Sequence, residues 1–441
     1  MTGVSSTEPS SAADRTAADH IWTVDEHLDD ILRHFAPLAP ADLPLLEAQG
    51  CVLAENVILP AALPPFDNSS MDGYAVRTAD VADATEDAPR ILKVIGDIHA
   101  GLSDLPTVHP GEAARIMTGA PLPPGAEAVV PVEWTDAGTG AGPAITMRAH
   151  SADPSGAAGE VRIHRPVVPG GHVRARGSDA TAGELALAAG TLLGPPQIGL
   201  LAAIGRARVT VRPRPRVVAI STGSELVPPG EELTPGRIHD SNSYALAAAA
   251  RDAGADARRV DAVADDAPSL RAALAEQLTR ADIVITSGGV SVGAYDVVKE
   301  ALGDEDGMQF RTLAMQPGKP QGFGLIGAGP TPLFGLPGNP VSCYVSFELF
   351  VRPAIRTLMG IELATRASVR ARCTSEITHS PKGRRQFLRG WYAPDSTVTP
   401  VGGSGSHLIK ALAHANALIV VAEDTTEIAP GTDVDVIPLM Q

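Results

Sequence analysis

The sequence predicts a multidomain chain of class α/β plus β. A central α/β domain with a mainly parallel sheet is expected. It should lie between a helical/β N-terminal part, which carries an inserted small β-rich domain, and a C-terminal β-barrel-like domain. Three observations lead there. The 441 residues suffice for about three domains. Between residues 216 and 359, apolar runs of strand length alternate with segments of helical period, the pattern of βαβ units. Outside that stretch, short runs are punctuated by Pro and Gly, as in small sheets and barrels.

The elements follow in order. Residues 1–19 are small and polar; they read as a disordered lead-in and lack the apolar core of a signal peptide. WTVDEHLDDILRHF (22–35) puts Val24, Leu28, Ile31, Leu32 and Phe35 on one helical face. Residues 43–53 read as a second short helix. PPFDNSSMDGYAV (64–76) is dense in turn formers, and 80–160 reads as short strands with a low-complexity edge, DAGTGAGPA. PQIGLLAAIG reads as a helix and RVTVRPRPR as a linker strand. In the central domain VVAIS, 259–263, DIVITS, MQFRTLAM, QGFGLI and PLFGL read as strands. NSYALAAAARDAG (ended by Gly254), SLRAALAEQLTR, AYDVVKEAL and VSCYVSFELFVRPAIRTLM read as helices. After Gly360 no helix is expected. The expected boundaries are 20–60 with 161–210 for the N-terminal linker part, 61–160 for the insert, 211–360 for the α/β domain and 361–441 for the C-terminal domain.

Bulk properties exclude several classes. A net charge of −16 argues against a nucleic-acid binder and requires that any anion site concentrate its cations locally. No apolar run approaches the roughly 20 residues that span a bilayer, so a cytoplasmic protein without a membrane partner is expected. Cys51, Cys343 and Cys373 are distant, odd in number and in no CxxC pair, which argues for buried thiols rather than disulfides or zinc.

Ligands of open parallel sheets bind at the carboxyl ends of the strands. The loops there read STGSEL (221–226), SGGVSVGAYD (287–296), QPGKP (316–320) and LPGNPVS (336–342). Glycine and hydroxyl groups in four loops suggest a phosphate or nucleotide cradle, with Ser221, Thr222, Gly223, Gly288, Gly289, Ser291, Gly318, Pro337 and Asn339 as its wall. Neither the P-loop nor a clean dinucleotide fingerprint is present. Carboxylates gather at the same rim: Glu225, Asp240, Asp265, Asp266 and Asp296. Asp240 suits a helix cap, Asp265 and Asp266 precede Pro268 where capping is also natural, and Asp296 could cap, bind metal or act chemically. A Mg²⁺ between Asp296, Asp265 and a substrate phosphate would use such hard oxygens. PKGRRQFLRG (381–390) offers Lys382, Arg384, Arg385 and Arg389, either as a solvated hairpin or, with GGSGSH (402–407), as an oxyanion receptor; VRARGSD (173–179) is a further basic patch, and His407 is a candidate catalytic group.

PPFDNSSMDGYAV, RIMTGAPLPPGAEAVV, VRARGSD, STGSEL, SGGVSVGAYD, QPGKP, LPGNPVS and GSGSH occur here in the order found in the molybdopterin molybdenumtransferases, or molybdenum insertases. The C-terminal part of gephyrin is similar. The resemblance covers residues 21–441 and implies a molybdopterin-binding central domain. It implies insertion of molybdenum from molybdate into adenylylated molybdopterin, with Mg²⁺-dependent release of AMP, by a homodimer whose cleft takes residues from both chains. By motif it implies functional roles for Asp72, Thr118, Arg174, Glu225, Asp265, Asp296 and Lys319, and a molybdate set of Lys319, Ser342, Arg389 and Ser406. It also brings in the molybdopterin adenylyltransferase and recipient molybdoenzymes as protein partners. The chain departs at Gln316 and Thr312, where relatives often carry lysine. Two other readings compete. A molybdopterin adenylyltransferase would need only the central domain. A non-catalytic scaffold would resemble gephyrin, whose long linker and extra N-terminal domain are absent from this sequence.

Overall fold

The computed structural model describes residues 20–140, 142–147, 159–289, 297–302 and 307–439, so the expected lead-in lies outside it. The described residues form two compact units, one from those within 1–55, 189–198 and 207–441 and the other from those within 56–188 and 199–206.

The first unit opens with helix α1 (Val24–Leu32). Thr23 starts it: its hydroxyl accepts from Glu26 N at 3.1 Å, and the Glu26 carboxylate accepts from Thr23 N at 2.8 Å. This reciprocal cap satisfies two N–H groups that have no partner inside the helix. Val24, His27 and Ile31 form its buried face. The helix expected at 43–53 is absent. Ala41–Pro44 and Val52–Leu53 are strands on either side of Arg208–Arg212, with turns between them. The partner strand supplies the backbone bonds that local propensity would have sought in a helix.

The central sheet uses β1 (Arg216–Thr222), β2 (Asp256–Val263), β3 (Ile283–Ser287), β4 (Met308–Thr312), β5 (Pro320–Ile326) and β6 (Thr331–Leu336) in the order β2-β1-β3-β6-β5-β4. The first four are parallel; β5 alone runs against them, pairing antiparallel with both β6 and β4, since β5 and β6 form a hairpin instead of a crossover. Helices α2 (Asn242–Asp252), α3 (Ala267–Leu278), α4 (Val297–Ala301), α5 (Pro340–Ser346) and α6 (Arg352–Leu358) follow. Ile283, Ile285 and Phe334 share one apolar core with Leu246 of α2 and Val345 and Ile355 of α5 and α6; Val218, Ile220 and Val284 share the other with Leu270 and Leu274 of α3 and Val298 of α4. Between α5 and α6, residues Phe347–Val351 widen into a π turn just before Pro353, which has no N–H to give the helix ladder.

The C-terminal strands β7 (Val369–Cys373), β8 (Arg385–Tyr392), β9 (Thr397–Pro400), β10 (Ala417–Val421) and β11 (Asp433–Pro438) close as β8-β9-β7-β11-β10-β8. Val398, Ile419, Val421 and Val436 fill this barrel. One short helix, Ile409–Ala413, corrects the expectation of none beyond Gly360. Met315–Gln316 runs parallel to β8, so the barrel and the central domain share backbone bonds.

The second unit holds a five-stranded sheet in the order Ala128–Pro131, Gly73–Val76, Glu112–Ile116, Arg90–Ile98, Glu160–Ile163. Gly73 is required by proximity: a Cβ there would lie 2.0 Å from Val130 O. In neither unit is any described helix long and apolar enough to cross a membrane.

His27 gives a pH-dependent expectation. Its ring is buried edge-on to Phe350, 4.8 Å between centroids, and Nδ1 lies 3.2 Å from Nη1 of Arg311. Arg311 only donates, so Nδ1 accepts and the ring is neutral. Burial first, then the Arg311 charge, lowers its pKa to about 3. The unfolded ring binds a proton near pH 6.5 and the folded one does not. Stability from this group is therefore complete above pH 6.5 and falls as the pH drops from there toward about 3. His27→Gln should flatten that part of the stability–pH curve in denaturant melts; an unchanged slope would contradict the assignment.

Candidate functional site

The strand-end loops of the central domain converge. Gly288 has φ +97°, and a Cβ on it would lie 2.8 Å from Thr222 O. Its N–H donates to Leu336 O at 3.0 Å. A Cβ at Gly338 would touch Gly288 Cα at 3.5 Å, and Asn242 Nδ2 donates to Gly338 O at 2.7 Å. STGSEL, SGG and LPGNPVS therefore lie backbone against backbone, with only glycine fitting at Gly288. Gly289, at φ +67°, sits against Val297 and Val298 of α4. QPGKP joins through Gly318, whose Cβ would fall 2.9 Å from Ser346 Oγ; buried Gln321 donates to Gly318 O and Ser346 Oγ, both at 2.6 Å. The barrel loop joins through Val341 N, which donates to Ser406 O at 3.0 Å.

The carboxylates divide. Asp240 is buried and committed: Ser221 Oγ donates to it at 2.8 Å and Ser243 N at 3.1 Å. The N-cap of α2 is Ser241 rather than the expected Asp240, which accepts from the first-turn Ser243 N instead and has no free face for a metal. Ser221 is fully buried in the same network, 3.3 Å from Ser287 Oγ, so its side chain braces the loop instead of lining the cradle. Asp266 is the cap of α3, and the Ser269 hydrogen bonds hold its carboxyl below the ordinary range. Asp265 is exposed and accepts from Ser224 N at 3.2 Å, while its own N–H donates to Ser224 Oγ at 3.1 Å. Glu225 folds back over Gly223, where a Cβ would meet its Oε2 at 2.6 Å. Two exposed carboxylates therefore flank one turn. Ser291 and Asp296 lie outside the described residues.

The cations divide too. Arg385 is paired with Asp25 at 2.8 Å and Glu423 at 3.0 Å, in a cleft of about 720 Å³ between α1 and the barrel, so it is not an open anion receptor. Arg389 is 2% exposed; its guanidinium donates to Gly405 O at 3.2 Å and to Gly403 O. Burial lowers its pKa. It pins the GGSGSH loop from beneath. Lys319 and Asn339 are exposed, Pro337 and Ser342 buried, Ser406 half-buried and His407 exposed.

In the second unit, Asp72 accepts from Thr118 N at 2.7 Å and from Thr118 Oγ1 at 2.9 Å. Arg174 pairs with Asn68 in a two-stranded ladder whose next pair, Val173 with Ser69, lies beside this turn: Gly119 N donates to Ser69 O at 2.8 Å. Sequence reading missed Asn242, Gln321 and Ser346, which hold Gly338 and Gly318. The only signal was polar side chains at the start of, or inside, otherwise apolar elements.

Comparison with known proteins places the parts. Residues 22–205 match the model described as MoeA N-terminal region (domain I and II), and 370–439 that of MoeA C-terminal region (domain IV). Residues 218–357 match a probable molybdopterin binding domain, which gives the class of the central domain. The chain is 45% identical over 421 residues to molybdopterin molybdenumtransferase 2 of Mycobacterium tuberculosis, covering 94% of this chain and 98% of that protein. It is 40% identical over 425 residues to molybdopterin molybdenumtransferase 1 of the same organism, covering 91% and 95%. A crystal structure of the molybdopterin biosynthesis MoeA protein from Pyrococcus horikoshii superposes with a TM-score of 0.72 at 33% identity, over 96% of this chain and all of that one. The chain belongs to the molybdopterin molybdenumtransferase family.

Proposed function

We propose that the protein inserts molybdenum from molybdate into adenylylated molybdopterin and releases AMP. The carrying observation is the packing of Gly288 against Thr222 O and Gly338, which brings three strand-end loops together at one rim with no side chain at Gly288. The loops around Gly223, Gly288 and Gly289, with the Thr222 hydroxyl and Asn339, would enclose the phosphate and nucleotide part of the substrate; the Gly223 and Gly288 N–H groups are spent on Val263 O and Leu336 O and hold the loops in place. Lys319, Ser342, Ser406 and the loop pinned by Arg389 would take molybdate, a tetrahedral oxyanion suited to cations and hydroxyl donors. Glu225 and Asp72 would orient the reacting groups, and Arg174 would offset substrate charge.

Asp265 and Asp296 are the residues assigned to Mg²⁺. Among the described residues no three His, Cys, Asp or Glu side chains gather, but Mg²⁺ commonly uses one or two carboxylates with substrate phosphates. The exposed Asp265 carboxylate at the Ser224 turn fits that donor set. Bound there, the ion would neutralise charge on the leaving phosphate.

The assay combines purified protein, adenylylated molybdopterin and molybdate, and follows AMP and the molybdenum-bearing cofactor. Molybdate-dependent AMP release is expected. Pyrophosphate release from ATP and molybdopterin instead would favour adenylyltransfer, and no turnover in either direction would favour a scaffold. A homodimer with a composite cleft is part of this reading, because the family resemblance implies that Asp72 and Thr118 come from the partner chain. An Asp72→Ala chain mixed with an Asp296→Asn chain should then recover activity that neither has alone. Verified heterodimers without recovery would contradict the shared cleft. A cytoplasmic setting, with handover from the molybdopterin adenylyltransferase and on to recipient molybdoenzymes, completes the proposal.

A further inference from the structure

A cavity of about 900 Å³ lies where α2, the α5–α6 helix and the short helix Ile409–Ala413 meet. It shares Asn242 and Pro340 with the glycine rim but none of the residues assigned to Mg²⁺ or molybdate. Its walls are apolar, with Ala249, Tyr344 and Leu412 prominent, and its charged side carries Arg352, Arg356, Arg366 and Asp252.

The charges do not balance. Arg366 is satisfied: Nε is 2.7 Å from Glu348 Oε2, and Nη2 is 3.5 Å from Asp252. Arg352 reaches the same Glu348 carboxylate only at 3.8 Å. Its side chain is 6% exposed, yet its Nε has no hydrogen-bond partner. Arg356 also has a buried Nε without a partner among the described residues, and the charges acting on it are those of other cations, Arg366 and Arg352. Three guanidinium groups therefore face two carboxylates, in a chain whose net charge is −16. Buried N–H donors are normally satisfied, and a buried charge without a counterion is costly. An anion entering the cavity would meet both needs.

We propose that this cavity binds a small organic anion, with an apolar or aromatic body against Ala249, Tyr344 and Leu412. A single carboxylate, sulfonate or phosphate head would rest on Arg352 and Arg356. The Arg fork favours such planar or tetrahedral oxyanions, and the apolar walls favour the body over a bare inorganic ion.

The test is a fluorescence titration of the full-length protein with 8-anilinonaphthalene-1-sulfonate, which has an aromatic body and one anionic head. Saturable binding of one probe per chain is expected. Arg356→Gln should weaken it by about tenfold, the loss of one charged hydrogen bond. N-phenyl-1-naphthylamine, which lacks the sulfonate, should bind with no dependence on Arg356. Ala245→Phe, at an exposed position on the cavity wall, should block the sulfonate probe and keeps the test open if the arginine variant fails to fold. Equal affinity in folded Arg356→Gln, or full binding in folded Ala245→Phe, would overturn the site. Binding that appears only when the protein is diluted into monomers would also overturn it, because a second copy would then cover the cavity.

Discussion

Gly288→Ala should lower molybdate-dependent AMP release by about a hundredfold or more, since a shift of about 1 Å in a positioning loop can cost that much. The new methyl would lie 2.8 Å from Thr222 O and 2.9 Å from Thr222 Oγ1, both inside contact distance. The backbone there also has φ +97°, which alanine adopts with strain. Neither the strand end nor the loop can move alone, because Gly288 N is bonded to Leu336 O at 3.0 Å. STGSEL and SGG must therefore separate, carrying the cradle out of register. Gly329→Ala serves as the control: a Cβ there meets nothing within 4 Å. Steady-state kinetics and melting curves on both variants check the contrast. Near-normal turnover in Gly288→Ala would mean that the glycine contact does not position the substrate.

Arg389→Ala is expected to weaken molybdate binding by roughly tenfold to a hundredfold and to destabilise the fold by about 2–4 kcal/mol. The side chain is 2% exposed, and its partners are the carbonyls of Gly403 and Gly405 rather than a carboxylate. Removing it leaves a cavity and unties the loop that carries Ser406. Gln316→Lys should move affinity the other way, by adding a cation where this chain has none. Calorimetric titration of molybdate into wild type and both variants gives the answer. If folded Arg389→Ala binds molybdate like wild type, the oxyanion site lies elsewhere.

The alternating pattern after residue 216 made the central domain legible, because buried parallel strands are continuous apolar runs and their helices keep a clean period. VVAIS, DIVITS and SLRAALAEQLTR correspond to β1, β3 and α3. Residues 43–53 read locally as a helix because their pairing partner, Arg208–Arg212, is some 160 residues away, as in the Val52 to Arg212 pair, and no local pattern announces it. The break at Phe347–Val351 was hidden for a different reason: a π turn keeps the helix direction and shifts only the ladder.

The rim loops were legible from Gly and hydroxyl composition at strand ends. What each side chain does was not. Asp240, Asp265 and Asp266 look alike in sequence. Burial separates the first, which is enclosed with Ser221, and hydrogen bonding separates the other two, one capping α3 and one gripping Ser224. Arg385 and Arg389 are four residues apart on β8, yet one is spent on Asp25 and Glu423 while the other holds a glycine loop.

The most direct measurement is a crystal of the protein soaked with molybdate and AMP, with data collected at the molybdenum absorption edge. The central claim places molybdenum at the rim between Lys319, Ser342 and the Ser406 loop, and AMP phosphate beside the loops that meet at Gly288 and Thr222. An anomalous peak at that rim is the predicted result. A peak in the cleft between α1 and the barrel, with the glycine rim empty, would contradict it.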